Sequence, residues 1–410
     1  MGQALIRVSH KKRFNNLIIL PLYLIISINL ITRQHYMLQN TSTSSEDEQL
    51  LKQYYSRYGG YWRFPEMLDY CYLVNPYFNR SAIIKEMQEF FPVLVSEYPS
   101  GMSVNSGLAA ECWDIKQEHI VVGNGAAELI KAIMENLDGK VGVVRPTFEE
   151  YPNRMPDEQV ETFVPKNSMF RYGADDLINY FSAHKVDALL LINPDNPSGN
   201  FIQPAGIHKV AQWCEDNGMR FILDESFVDF SVDYESNSFL SNEILETYPH
   251  MAVMKSISKS YGVPGLRLGI LCSADEPLIS KIKKQVSIWN INSFAEYFMQ
   301  IYPKYRVDYK HACDQFIQAR EDFEDELKKI PFIKVMPSQA NFFFLEVLPP
   351  YKPKELCAIL LKKYNILASA CLAKKGIESN RYMRIAVRNH GDNKKFITVL
   401  KDLIRKSHLL

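Results

Sequence analysis

The chain has 410 residues, of which 47% are hydrophobic and 23% are charged, and its 47 basic residues balance its 47 acidic residues. This composition excludes extensive disorder, and the length favours a large domain accompanied by a smaller one. Because the net charge is zero, no global field attracts nucleic acid, so we expect a small molecule as the partner and no nucleic acid.

The cysteines give no sign of a metal or redox site, because they are scattered and form no Cys-x-x-Cys pair. We interpret them as reduced thiols and expect a cytoplasmic protein without a metal ion. The seven residues are Cys71, Cys112, Cys214, Cys272, Cys313, Cys357 and Cys371.

An apolar run at residues 17–31 follows a basic stretch near the N-terminus. Its length of about fifteen residues is below the roughly twenty that span a bilayer, and Pro21 and Asn29 interrupt it. Three interpretations compete: a membrane anchor, an uncleaved or unusual signal, or an upstream extension that is not part of the working protein. We favour an extension over residues 1–40, because the chain after Met37 has the pattern of a complete soluble enzyme.

From about residue 118, short apolar strands alternate with helical patterns, which is typical of βαβ units and a mostly parallel sheet. The first unit consists of a strand at 119–122, a glycine turn and a helix at 126–134. Another helix is predicted at 207–216. Further strands are predicted at 141–144, 188–192, 221–223, 251–254 and 268–272.

After an amphipathic segment at 302–329, the pattern changes to strands with fewer helices, at 342–345 and 382–387, and ends on a helix from about residue 394. We therefore predict an α/β fold with a mostly parallel central sheet, helices on both of its faces, and a smaller α+β domain. The predicted large domain covers 96–301, and the predicted small domain combines 41–95 with 302–410.

Four motifs fall at the ends of predicted strands, where an open parallel sheet places its ligands. The glycine turn at 123–127 begins a helix whose amides can hold a phosphate. Lys259 offers an amine that forms an imine with an aldehyde once it loses a proton. Each motif alone also occurs as an ordinary turn, cap or solvated loop. The other three motifs are the loop at 193–199, Asp224 with the three residues after it, and the run at 256–267 that contains Lys259.

Together and in this order, these motifs resemble the fold-type I pyridoxal-phosphate enzymes, specifically the class I/II aminotransferases, over roughly residues 60–405. The resemblance implies pyridoxal 5'-phosphate as the cofactor, bound in the large domain. It assigns Lys259 to the internal aldimine and to acid/base catalysis, and Asp224 to the pyridine nitrogen. It also assigns Asn196 to the ring oxygen, Phe148 to the ring face, Phe227 to a place beside the ring, and Gly125, Ala126, Ala127, Ser256, Ser258 and Arg267 to the phosphate and its turn.

The resemblance also supplies residues for the substrate and for a partner subunit. Arg384 matches the arginine that grips the substrate carboxylate as a fork, with Asn196 near it. Arg388 either binds a substrate phosphate or is a solvated residue of its strand. Tyr98, in Glu97-Tyr98-Pro99, matches a catalytic tyrosine that reaches across a dimer interface, which implies a homodimer; an ordinary surface tyrosine is the other interpretation.

The run at 337–342 points to the branch that contains histidinol-phosphate aminotransferase and threonine-phosphate decarboxylase. Two departures separate the chain from the former. The arginine that binds the substrate phosphate is absent from 366–371, and Phe227 stands where a tyrosine is usual. The decarboxylase is similar at the second position, with an Asp-Glu-Ala-Phe pattern.

The first hypothesis is therefore an aminotransferase that moves an amino group between an amino acid and a 2-oxo acid. The alternative is a decarboxylase of a phosphorylated amino acid, which uses the same cofactor. A regulatory protein that has lost the chemistry is disfavoured, because Lys259, Asp224 and Arg267 are all present.

Overall fold

The computed structural model describes residues 44–407 except residues 73, 79, 372, 373 and 378. The apolar run at 17–31 and the predicted extension at 1–40 lie outside the described residues. None of the helices in the described range combines the length and the apolar character that crossing a bilayer requires.

The strands fall into two groups along the chain, one ending near residue 272 and one beginning near residue 333. In chain order they are β1 (Leu68–Asp69), β2 (Ile120–Asn124), β3 (Val141–Val144), β4 (Val160–Phe163), β5 (Ala188–Ile192), β6 (Arg220–Asp224), β7 (Met251–Ser256), β8 (Leu268–Cys272), β9 (Ile333–Val335), β10 (Phe342–Val347), β11 (Ile366–Leu367), β12 (Ser369–Ala370) and β13 (Tyr382–Ala386).

Helices precede, separate and follow these strands. In chain order they are α1 (Ser44–Tyr55), α2 (Arg80–Ser96), α3 (Met102–Trp113), α4 (Gly125–Met134), α5 (Ala174–Ala183), α6 (Pro204–Asp216), α7 (Tyr234–Asn237), α8 (Asn242–Thr247), α9 (Ile257–Ser260), α10 (Glu276–Gln285), α11 (Ser293–Ile301), α12 (Arg306–Leu327), α13 (Pro353–Tyr364) and α14 (His390–Ser407).

The large sheet has the strand order β2-β8-β7-β6-β5-β3-β4. The five strands from β7 to β4 pair in parallel, and β8 is antiparallel to both of its neighbours. Along β5, Leu190 and Ile192 belong to one apolar core, whereas Leu189 and Leu191 belong to another. Both faces of the sheet are therefore covered, which explains why its strands are continuous apolar runs. The predicted α/β fold with a mostly parallel sheet is confirmed.

A second sheet of four antiparallel strands has the order β12-β13-β10-β9. Beside it, β1 pairs in parallel with β11, with Leu68 opposite Ile366. A segment that precedes the large sheet in sequence thus joins the part of the chain that comes after it, as expected for a smaller domain made from both ends. The boundaries at 41–95, 96–301 and 302–410 stay predictions.

Two elements differ from the sequence-based expectation. Strand β4 is not predicted from the sequence, because it is short and half-buried and its apolar and polar residues alternate only weakly. Among the described strands it pairs only with β3. The last helix begins at His390, ahead of the predicted residue 394. The Asn389 side chain accepts a hydrogen bond from the Asp392 N–H at 2.9 Å, a cap that starts the helix before its apolar residues begin.

The carboxyl ends of the parallel strands lie at one edge of the large sheet, which we call the ligand edge. Strands β6 and β7 end there at Asp224 and Ser256. Because β8 runs in the opposite direction, its first residue pairs with Asn124 at the end of β2. The antiparallel strand therefore brings Arg267, the residue before β8, to the edge where the predicted cofactor residues stand.

Candidate active site

Lys259 lies in α9, directly after β7, at the ligand edge. Burial lowers the pKa of its amine to about 8; the charge of Asp224 opposes this shift, and the charge of Arg384 reinforces it. A lysine amine needs its neutral form to attack an aldehyde. The site therefore makes a reactive fraction of this amine available near neutral pH, as its predicted role requires.

Asp224 ends β6 and is buried. Its Oδ2 accepts a hydrogen bond from the Tyr151 hydroxyl at 2.9 Å, and its Oδ1 accepts one from the Ser226 backbone N–H at 2.8 Å. Two donors fix the orientation of the carboxylate, while each oxygen keeps a second lone pair. The carboxylate can thus accept a bond from a protonated ring nitrogen.

Gly125 begins α4 in contact with Arg267. Its backbone N–H donates to the carbonyl oxygen of Arg267 at 2.9 Å, its φ is 71°, and a Cβ there would lie 2.3 Å from Nη2 of Arg267. A Cβ on Gly269 would lie 2.5 Å from the Ala126 nitrogen. Both positions need glycine for this approach. The first turn of α4, which includes Ala126 and Ala127, therefore lies beside a guanidinium, an arrangement suited to a phosphate.

Ser258 provides a further polar group suited to a phosphate. Its hydroxyl is buried and has no hydrogen-bond partner within the described residues. Ser256 lies two positions earlier, and its backbone N–H donates to the Ser226 hydroxyl oxygen at 3.0 Å. A buried hydroxyl without a partner is destabilising unless a ligand satisfies it. The residues present therefore fit the phosphate group of pyridoxal phosphate.

Two aromatic rings lie close to Lys259. The distance from its Nζ to the ring centre is 3.9 Å for Phe227 and 6.0 Å for Phe148. Phe227 is buried and packs edge-on against Phe342 at 5.2 Å. Phe148 is 39% exposed, so part of its side chain is available to a ligand. This arrangement agrees with a ring that stacks on Phe148 beside the lysine.

Arg384 in β13 joins the second sheet to the loop after β5. Its Nη1 donates to Oδ1 of Asn196 at 2.7 Å, and its Nη2 donates to the Cys71 carbonyl oxygen at 3.1 Å. Its Nε is buried and has no partner in the described part of the chain. Two predicted substrate residues that are 188 positions apart are therefore in contact. The two bonds hold the Arg384 guanidinium in one orientation, and its Nε–H can donate to an acceptor on a ligand.

Arg388 and Tyr98 are not part of this group of contacts. Nε of Arg388 donates to Oδ2 of Asp392 at 3.0 Å, and Nη1 donates to the Asp69 carbonyl oxygen at 2.7 Å. These contacts favour the structural interpretation of Arg388 over a substrate phosphate. Tyr98 is 78% exposed and stacks on Trp289 at 4.3 Å. Its reach into a partner's site stays a prediction.

Sequence reasoning missed Tyr151 and the carbonyl oxygen of Cys71. Tyr151 lies in a loop, where the sequence has no helical or strand periodicity to indicate burial. The one feature that could have pointed to it is its position three residues after Phe148. The Cys71 contact uses the backbone, so the side chain gives no signal at all. Both contacts depend on chain segments that only the folded sheet brings together.

The family model of aminotransferase class I and II matches residues 108–400 of this chain. L-serine phosphate decarboxylase of Sulfurospirillum multivorans is 28% identical over 387 residues, which cover 91% of this chain and 96% of that protein. A solved structure of a decarboxylase from Sulfurospirillum multivorans has a TM-score of 0.77 at 27% identity, covering 88% of this chain and 97% of that one.

CMP-5'-(3-aminopropyl)phosphonate synthase of Streptomyces rubellomurinus is 29% identical over 363 residues, which cover 88% of this chain. The match covers 56% of that protein, so this chain spans about half of its length. Threonine-phosphate decarboxylase and histidinol-phosphate aminotransferases also match, at 26% to 28% identity.

These comparisons correct the expectation that the chain is an aminotransferase. L-serine phosphate decarboxylases match over 84% to 91% of this chain, whereas histidinol-phosphate aminotransferases match over 61% to 80%. The aminotransferase assignment was wrong because the shared fold, lysine and aspartate belong to the common cofactor, and these residues do not determine which substrate bond breaks.

Proposed function

Because this chain belongs to the class I and II aminotransferase family of fold-type I pyridoxal-phosphate enzymes, we propose that it decarboxylates an amino acid that carries a phosphate or phosphonate group. Pyridoxal 5'-phosphate is its cofactor. Enzymes of this family act on small molecules and typically form homodimers. A homodimer in which Tyr98 reaches the neighbouring site is part of the proposal.

The observation that carries the proposal is the similarity to L-serine phosphate decarboxylase along nearly the full length of both chains. A second L-serine phosphate decarboxylase, from Campylobacter jejuni, matches over 84% of this chain and 91% of its own length. Phe227 supports the same activity, because it places a ring without a hydroxyl beside the lysine, as in the Asp-Glu-Ala-Phe pattern of threonine-phosphate decarboxylases.

Bound pyridoxal phosphate would supply an electron sink for the substrate bond that breaks beside the nitrogen. Asp224, held by Tyr151 and the Ser226 N–H, would pair with the ring nitrogen. Ser258, Arg267 and the first turn of α4 would hold the phosphate. By holding the cofactor at both ends, these residues would determine which substrate bond is exposed to cleavage.

Arg384 holds the substrate carboxylate through its free Nε–H, while Asn196 and the Cys71 carbonyl keep the guanidinium in position. The centre of the guanidinium lies 5.4 Å from the centre of the Phe342 ring, which in turn packs on Phe227. A carboxylate bound there borders an aromatic wall. The Arg384 guanidinium orients the carboxylate but also stabilises its charge, whereas the aromatic wall beside it favours the loss of that charge as carbon dioxide forms.

Lys259 would donate a proton from its Nζ to the substrate carbon that has lost its carboxylate. With a pKa of about 8, its Nζ is mainly protonated at neutral pH and is still acidic enough to donate. Phe227 offers no hydroxyl that could compete for this proton. One amine therefore serves as the attachment point for the cofactor and as the proton donor.

A substrate panel tests the proposal. The holoenzyme is mixed with O-phosphoserine, O-phosphothreonine, serine and threonine without any 2-oxo acid, and the release of carbon dioxide is followed. We expect release from at least one phosphorylated amino acid and a much slower release from its unphosphorylated counterpart. Equal rates for the two members of each pair would contradict the proposed substrate class.

A further inference from the structure

Lys374 is a cation near the proposed substrate site and belongs to none of the four motifs at the strand ends. It comes after the segment at 366–371, where the sequence lacks the arginine that binds a substrate phosphate in the histidinol-phosphate enzymes. Its Nζ donates to the Thr147 carbonyl oxygen at 2.6 Å. Thr147 precedes Phe148, whose ring centre is 6.0 Å from the amine of Lys259. Lys374 is thus bonded to the loop that borders the cofactor lysine.

The backbone near Lys374 is packed closely against the same loop. Gly376 has a φ of 86°, and a Cβ there would lie 2.7 Å from the Cβ of Arg145 and 2.9 Å from the nitrogen of Pro146. Only glycine allows this approach without a shift of the neighbouring backbone. This packing restrains the backbone beside Lys374, whose half-buried side chain is oriented by its bond to the Thr147 carbonyl.

Lys374 lacks a carboxylate partner among the described residues, although Lys375 beside it pairs with Asp157 at 2.9 Å. The two acidic residues whose charges act on Lys374, Glu149 and Asp195, have other partners. Glu149 pairs through its Oε2 with Arg145 at 3.1 Å, while its Oε1 is buried and makes no hydrogen bond within the described residues. Oδ2 of Asp195 accepts a bond from the Ser198 hydroxyl at 2.5 Å. Burial lowers the pKa of Lys374, and the charge of Arg384 acts in the same direction.

Two cations near one site suit a ligand with two acidic groups. Arg384 is assigned to a carboxylate, and a simple amino acid would leave Lys374 without a counter-charge. An ammonium group has three N–H donors, and the Thr147 carbonyl uses one of them. Two donors remain for a tetrahedral oxyanion.

We propose that Lys374 binds the phosphate or phosphonate group of the substrate whose carboxylate Arg384 holds, an inference that rests on the proposed function. A phosphate monoester and a phosphonate present the same tetrahedral dianion. Lys374 therefore replaces, from a later position in the chain, the arginine that is absent from 366–371. It selects amino acids with a second, strongly acidic group.

The test compares the holoenzyme with the variants Lys374→Met, Lys374→Arg and, as a matched control, Lys375→Met. The substrates are O-phosphoserine and 2-amino-4-phosphonobutyrate, which differ in having an ester oxygen or a methylene beside phosphorus. Because hydrogen bonds to charged groups are among the stronger ones, we expect Lys374→Met to raise KM by about 10- to 100-fold. Lys374→Arg should recover most of the affinity, and Lys375→Met should match the parent protein.

The kcat/KM of the parent protein for the two substrates separates the two sources of the dianion. A higher value for O-phosphoserine identifies a phosphate ester, and a higher value for the phosphonate identifies a phosphonate. Unchanged KM values for both, or an equal loss in Lys375→Met, would overturn the role of Lys374.

A binding measurement separates this inference from the proposed reaction. O-phosphoethanolamine has the dianion but no carboxylate, so it cannot be decarboxylated. Its affinity for the holoenzyme, measured by calorimetry, should fall in Lys374→Met whether or not any substrate turns over. If the parent protein releases no carbon dioxide while this loss is seen, the proposed reaction fails and the anion site stands.

A measurement on the parent protein covers the case in which the variants do not fold. An amine-reactive acylating reagent, combined with peptide mass spectrometry, reports the exposure of each lysine. Ethyl phosphate, which has the dianion but no amine that would consume the reagent, should protect Lys374 and leave Lys375 unprotected. Equal labelling of Lys374 with and without the ligand would overturn the inference.

Discussion

The amine of Lys259 lies 3.9 Å from the centre of the Phe227 ring. The ring face attracts the protonated amine, an interaction of roughly 0.5 to 2 kcal/mol, but burial disfavours the charge more strongly and the pKa falls to about 8. The same ring removes the hydroxyl that aminotransferases of this branch usually place beside the cofactor. One aromatic residue thus lies against the lysine and leaves no hydroxyl at this side of the site.

Phe227→Tyr should slow decarboxylation. The added hydroxyl enters a position that is 2% exposed, where an unsatisfied polar group costs about 1 to 3 kcal/mol, and it competes for the proton on Lys259. The ratio of carbon dioxide released to pyridoxamine phosphate formed is the measurement, and we expect it to fall.

Phe230→Tyr is the matched control for Phe227→Tyr, because Phe230 is equally buried but packs on Phe316 at 4.5 Å. It should lower stability without changing the product ratio. Equal product ratios in the two variants would show that the position of the hydroxyl does not matter.

Attachment of the cofactor to the apoprotein should track the titration of Lys259. The neutral amine is the nucleophile, so the rate should rise about tenfold for each pH unit below the pKa and level off above it. With a folded pKa of about 8, the plateau should begin near pH 8. Stopped-flow absorbance measures this rate, and a midpoint near the ordinary lysine value of 10.5 would refute the shift.

Arg384→Lys should weaken binding of the substrate carboxylate. Lysine has no planar fork and cannot keep both the Asn196 and the Cys71 contacts. We expect KM to rise about tenfold or more, which corresponds to about 1.4 kcal/mol. Arg381→Lys is the control, since Arg381 directly precedes β13, is 62% exposed and pairs with Glu346. A similar rise in both variants would argue against a specific role for Arg384.

Gly125→Ala should weaken cofactor binding. A non-glycine residue at a φ of 71° costs roughly 1 to 2 kcal/mol, and its Cβ would collide with the Arg267 guanidinium. Equilibrium dialysis should show a Kd for pyridoxal phosphate raised by about tenfold or more. Gly101→Ala is the control, because a Cβ there meets nothing within 4 Å. An unchanged Kd for Gly125→Ala would remove Arg267 and Gly125 from the phosphate site.

The sequence was sufficient for the parts of this protein that local pattern determines. Continuous apolar strands such as β5 predict a buried parallel sheet, and the motifs at strand ends locate the ligand edge, because chain direction alone places them there. Lys259 and Asp224 could be located on that basis, whereas their roles and that of Arg267 came from the resemblance to the fold-type I enzymes.

Contacts between distant segments could not be predicted. The bond from Tyr151 to Asp224, the bond from Arg384 to the Cys71 carbonyl, and the bond from Lys374 to the Thr147 carbonyl each join segments that are far apart in the chain. The choice between transamination and decarboxylation failed for the same reason. It depends on the surroundings of Arg384 and Phe227, and not on the residue types that bind the cofactor.

The most direct test uses O-phosphoserine labelled at its carboxyl carbon, incubated with the holoenzyme in the absence of any 2-oxo acid, with both products quantified. Decarboxylation predicts labelled carbon dioxide and O-phosphoethanolamine in equal amounts over many turnovers, with the cofactor unchanged at the end. Label retained in a 2-oxo acid, with one equivalent of pyridoxamine phosphate formed per site and no further turnover, would contradict the account.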